Sequence, residues 1–72
     1  MKKINKIKIK LNGRYIKIKE EITLLYLIKK TKVPLNKVAI ELNQEIVNKK
    51  LLNKIKLKKN DKIEIVHFIG GG

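Results

Sequence analysis

The 72-residue sequence contains no cysteine and no serine, and its only histidine is His67. Without cysteine there is neither a disulfide framework nor a thiolate metal site. Without cysteine or serine, the Ser-His and Cys-His nucleophilic pairs are excluded as well. His67 has no second ligand or nucleophile beside it in the sequence, which argues against a metal-binding or general-base role. The acids number six: Glu20, Glu21, Glu41, Glu45, Asp61 and Glu64. Their spacing puts them on strand faces and turns, so a solvated surface role is favoured over paired acid–base catalysis. Aromatics are scarce too, limited to Tyr15, Tyr26 and Phe68. The longest apolar run, Leu24–Ile28, falls far short of the roughly 20 residues that a membrane-spanning helix needs. No targeting segment is expected either. After Met1-Lys2-Lys3 the chain alternates Ile with Lys or Asn instead of building an apolar signal core.

A chain this short makes one domain with a small core and no room for a deep cofactor pocket. Its apolar fraction of 43% is nevertheless ordinary for a folded protein. Nineteen basic residues against six acidic ones give a net charge of +13. Such a charge invites a nucleic-acid reading. Composition weighs against it, because eighteen of the nineteen cations are lysine. Nucleic-acid sites lean on arginine forks and interleaved aromatics. Lys, Ile and Asn together fill 38 of 72 positions, and all three have A/T-rich codons. Nucleotide bias therefore accounts for the skew without a function.

The elements are marked by periodicity. Ile7-Lys8-Ile9-Lys10-Leu11 alternates strictly, as does Arg14-Tyr15-Ile16-Lys17-Ile18-Lys19, and Asn12-Gly13 between them is the strongest short hairpin signal. Thr23 is a helix cap, and Glu20 and Glu21 are expected to sit just before the positive end of the helix. Leu24, Leu25, Leu27 and Ile28, with Lys29, Lys30 and Lys32 after them, predict a helix of about ten residues that ends at Val33-Pro34. Lys37–Asn43 reads as a third strand, with Val38, Ile40 and Leu42 on one face. Asn43-Gln44 is a turn into a short extended piece, Glu45-Ile46-Val47. Asn48–Leu57 is ambiguous, and its Leu51, Leu52, Ile55 and Leu57 could pack from a single helical turn followed by a short strand. Lys58–Asp61 is a polar turn, and Lys62–Ile69 is the last strand, running almost directly into Gly70.

This order predicts an α+β fold of the β-grasp, ubiquitin-like type: a mixed sheet of four to five strands with one main helix packed on one face. The first and last strands should pair in parallel at the centre, with the hairpin partner outside. Residues 1–69 form the domain, and 70–72 a flexible glycine tail.

Three segments carry a family resemblance. They are Leu11-Asn12-Gly13, the stretch Val38–Val47, and Asn60–Gly72 with its polar turn, strand and triple-glycine ending. In these the chain resembles the ThiS-type sulfur carriers of thiamine (thiazole) biosynthesis. It departs from them at Asn60, where glycine is usual, and at Asn48-Lys49, where Pro-Arg is frequent.

The resemblance implies a carrier, not an enzyme. Its Gly72 α-carboxylate is adenylated by a ThiF-like enzyme and converted to a thiocarboxylate with sulfur from a persulfide protein. A ThiG-like thiazole synthase then receives the sulfur. The chain itself binds no cofactor, since ATP and the sulfur donor belong to the partner enzyme, and no metal site is implied. Gly70, Gly71 and Gly72 thread the partner's active site, where the absence of a Cβ suits a narrow channel. The five residues from Phe68 to Gly72 span about 17 Å when extended. Phe68, His67 and Ile69 are the expected docking residues. Strand alternation would turn His67 and Phe68 to opposite sides and leave only one of them as a contact. The expected molecule is a cytoplasmic monomer that docks transiently, or a stromal one if encoded in a plastid. Two other readings remain: a sister carrier serving molybdopterin, tRNA thiolation or protein conjugation, and a basic RNA-binding β-grasp module like the TGS domains.

Overall fold

The computed structural model describes residues 5–68. Strand β1 (Lys6–Leu11) and strand β2 (Arg14–Lys19) form the predicted antiparallel hairpin. Between them Asn12 and Gly13 both have positive φ, 49° and 84°, as a type I′ turn requires. Helix α1 covers Leu24–Thr31. The remaining strands are β3 (Val38–Leu42), β4 (Glu45–Ile46) and β5 (Lys62–His67). They assemble into one five-stranded sheet in the order β2-β1-β5-β3-β4. β5 pairs in parallel with β1 and antiparallel with β3. This is the expected β-grasp arrangement, with first and last strands side by side at the centre.

The alternation read from the sequence decides what is buried. Ile9, Val38, Ile40 and Ile63 meet Leu24, Leu27 and Ile28 of α1, together with Leu52 and Leu57, in a single core. Ile7, Leu11, Ile16 and Ile18 close its margin. Each fully buried Ile or Leu contributes about 1.5–3 kcal/mol of transfer free energy. The opposite sheet face has no layer over it among the described residues. No helix there is long and apolar enough to cross a membrane.

Four expectations need correction. The helix has eight residues, not about ten, because Lys32 turns left-handed (φ 62°) and its N–H returns to the Lys29 carbonyl. That αL cap ends the helix before Pro34 can. Second, Glu20 and Glu21 do not serve the helix N-terminus. Glu21 lies at φ 68° and approaches Lys56 at 3.7 Å, while Glu20 accepts from the Asn5 side chain. The cap itself is as expected: Thr23 Oγ1 accepts from the Tyr26 N–H at 3.1 Å. Third, Lys37 belongs to a 3₁₀ turn, Leu35–Lys37, whose closing bond runs from its N–H to the Pro34 carbonyl. Fourth, β5 stops at His67, short of the expected Ile69. The ambiguous stretch is a 3₁₀ segment, Lys49–Lys54, followed by a single bridge from Lys56 to Thr23.

Candidate functional site

The tail expected to carry the chemistry departs from the end of β5, so the site begins with what holds that strand in place. Three asparagine and aspartate side chains do most of the work. Asn12 donates its N–H to the Ile63 carbonyl at 2.9 Å, and its Oδ1 accepts from the Ile65 N–H at 2.8 Å. The hairpin turn thereby extends the short β1–β5 ladder by a side chain. Asn43 sits left-handed at φ 52° in the β3–β4 turn. Its N–H reaches the Lys62 carbonyl at 2.7 Å, its Oδ1 accepts from the Lys62 N–H, and its Nδ2 donates to Asp61 Oδ1. Asp61 Oδ2 closes its own turn by accepting from the Lys58 N–H at 2.8 Å. In that turn Asn60 occupies φ 71°, a left-handed position that asparagine tolerates in place of glycine. The start of β5 is thus clamped from both neighbouring turns.

The other end of β5 is held differently. The β3 register places His67 opposite Val38, and the Phe68 N–H donates to the Lys37 carbonyl at 3.0 Å. Beyond that bond, β3's side of the ladder gives way to the 3₁₀ turn at Leu35–Lys37. Lys49 braces the same corner. Its Nζ donates to the Leu35 carbonyl at 2.5 Å and stands 5.4 Å from the centre of the Phe68 ring. Asn48 caps the segment that carries it, accepting from the Lys50 N–H at 2.9 Å. Asn48-Lys49, a departure from the family's frequent Pro-Arg, therefore supplies a cap and a cation.

Phe68 is 62% exposed and Val66 45%. His67 is exposed as well, so the expectation that only one of His67 and Phe68 would be presented is corrected. Burial falls along the helix side of β5, from Ile63 through half-buried Ile65 to exposed His67. The strand outruns the core, so alternation no longer hides either residue. On the open face, Val66 lies opposite Ala39, and Ile46 lies opposite Glu41. Ile46 is 75% exposed. Val66, Ile46 and Lys49 were not among the expected site residues. For the first two the signal was present: they occupy strand positions turned away from the core. Ile69, Gly70, Gly71 and Gly72 lie outside the described residues. No group of three His, Asp or Glu side chains able to hold a metal is gathered among the described residues.

Comparison with known proteins agrees with this architecture. The ThiS family profile matches residues 5–72. The crystal structure of a thiamine biosynthesis protein (ThiS) from Geobacter metallireducens superposes with a TM-score of 0.80 at 26% identity, covering 92% of this chain and 100% of that one. The solution structure of a thiamine biosynthesis protein from the same organism gives 0.71 at 26% identity, covering 92% and 88%. No curated protein matches the chain.

Proposed function

The chain belongs to the ThiS family, and on that premise we propose that its Gly72 α-carboxylate is the atom group that carries sulfur for thiazole formation. A member of this family is a small sulfur carrier of thiamine biosynthesis, acted on by enzymes and not itself a catalyst. Residues 1–69 serve as the docking body and 70–72 as the arm.

A carboxylate is ordinarily ionised at neutral pH and resists nucleophiles, so it must first be activated. A carboxylate oxygen attacks the α-phosphorus of ATP, and pyrophosphate leaves. The terminal sulfur of a donor persulfide then attacks the acyl carbon, and AMP departs with its electron pair. A thiol cleaves the resulting acyl disulfide and frees the thiocarboxylate. A ThiF-like enzyme supplies the ATP site, and a ThiG-like synthase consumes the product. Glycine leaves the carbonyl carbon unhindered and lets the arm enter a narrow channel. Phe68, His67 and Ile69 seat the body at the channel mouth.

What supports this reading most is the family match itself, which runs through to Gly72. The test is intact-mass measurement after incubation with the adenylating enzyme, ATP and a persulfide donor. The expected gain is that of one oxygen replaced by sulfur. Removal of Gly71 and Gly72 is expected to abolish the gain and leave the melting transition unchanged, since the core is built from residues up to Ile63 with Ile65 at its margin. A truncated chain that unfolds, or one that still gains sulfur, would refute the assignment.

A further inference from the structure

The open face of the sheet is divided by charge. Across the β1–β2 hairpin, the register sets Lys6 against Lys19, Lys8 against Lys17 and Lys10 against Tyr15. Their inward neighbours Ile7, Ile9, Ile16 and Ile18 pack on the core, so these five lysines share the uncovered side. The β1–β5 register adds Lys62 beside Lys10. No carboxylate interrupts them. Two acids of this face lie together in the other half, where Glu41 is opposite Glu64, among Ala39, Val66 and Ile46.

Like charges directly opposite across a ladder are destabilising. The ion pair Lys56–Glu21 lies elsewhere, and none involves these lysines among the described residues. Biased composition accounts for many lysines but not for their segregation from every acid on one half of one face. The surface bears an unneutralised positive strip, and its complement is a negative one.

Two observations favour protein carboxylates over nucleic acid. Tyr15, the aromatic of this half, has both Lys8 Nζ and Lys10 Nζ at 5.2 Å from its ring centre, so a base stacking on that side would have to displace both ammonium groups. The single arginine, Arg14, pairs with Leu11 and so shares the helix side of the sheet. The open face therefore carries no guanidinium fork.

We propose that the lysine half of the open face docks on an acidic patch of the enzyme that activates Gly72. This rests on the function proposed above. β5 joins the two halves: Lys62 adjoins the lysines, and Phe68 lies roughly 20 Å further along at about 3.3 Å per residue. An interface of ordinary size, about 800 Å² per partner, reaches across both. The apolar end seats the base of the arm, and the lysine end sets the body's orientation and speeds encounter.

The experiment is steady-state adenylation by the cognate enzyme, followed as ATP–pyrophosphate exchange against carrier concentration at low and high salt. The double variant K8Q/K17Q removes one opposed pair. K29Q/K54Q removes the same charge from exposed positions on the helix side and serves as control. For K8Q/K17Q the expectation is a KM raised about tenfold at low salt, from two contacts each worth about threefold in water. Its kcat and melting temperature should not fall, and its salt dependence should be flatter than that of the parent. The control should match the parent. A KM within twofold of the parent, or an equal effect from the control pair, overturns the docking surface and leaves the carrier function standing. Tight RNA binding lost in K8Q/K17Q, with KM unchanged, also overturns it and assigns the strip to nucleic acid. Absence of exchange by the parent protein removes both proposals together.

Discussion

Individual residues in this protein are placed mainly by backbone handedness. Among the described residues, six other than glycine have positive φ: Asn12, Glu21, Lys32, Asn43, Gln44 and Asn60. Half of them are asparagine, whose short amide tolerates the left-handed region. That is why Asn12-Gly13 and Asn43-Gln44 were legible as turns and Asn60 as a substitute for glycine. Glu21 and Lys32 were not legible, because neither side chain signals that conformation. The misplaced helix end follows directly from Lys32. Lys32→Gly should stabilise the protein by about 0.5–1 kcal/mol, since glycine relieves the Cβ penalty at a helix C-terminal αL position. Urea denaturation reads the change as a higher midpoint at constant slope. An unchanged or lower midpoint would mean the lysine cap is not strained.

Among the elements, strict alternation made β1, β2 and the body of β3 and β5 readable, with core and solvent faces both assigned correctly. Alternation cannot say where a strand outruns its covering layer. His67 and Phe68 were therefore read as half hidden when both are exposed. The 3₁₀ segment Lys49–Lys54 was legible only as a helical turn without fixed bounds, for another reason. Its Lys-Lys-Leu-Leu-Asn-Lys string fits neither a period of two nor one of 3.6, and of two adjacent leucines one is buried and one 46% exposed. Leu52 is the residue through which this segment joins the core. Leu52→Ala should cost about 2–5 kcal/mol, a large share of what a small domain has to spare. Chemical denaturation would show it, and a loss below 1 kcal/mol would mean that the segment packs only loosely on α1.

At the scale of the whole molecule, a net charge of +13 on 72 residues works against the compact state through self-repulsion. The Lys56–Glu21 contact is between exposed groups and offsets little of it. Added salt should therefore stabilise this protein. Between low salt and 0.3 M NaCl the expected gain is about 1 kcal/mol, or about 4–8 °C in Tm. Scanning calorimetry across a salt series measures it, and a flat series would place the lysines too far apart to repel. The glycine tail belongs to this scale too. Its reading depended on family resemblance, and periodicity said only that a strand runs towards it.

The position of β5 between β1 and β3 also bears on how the protein is made. Lys62–His67 leaves the ribosome after every other described strand, yet the two halves of the sheet cannot join without it. A nascent chain halted earlier keeps the inner edges of β1 and β3 bare, and bare edges invite misassociation. Folding must wait for the final strand, which lies directly before the glycines. A chain that has folded is thus one that has been translated at least through His67, so acquiring the native sheet doubles as a check that the strand leading towards the glycines has been made.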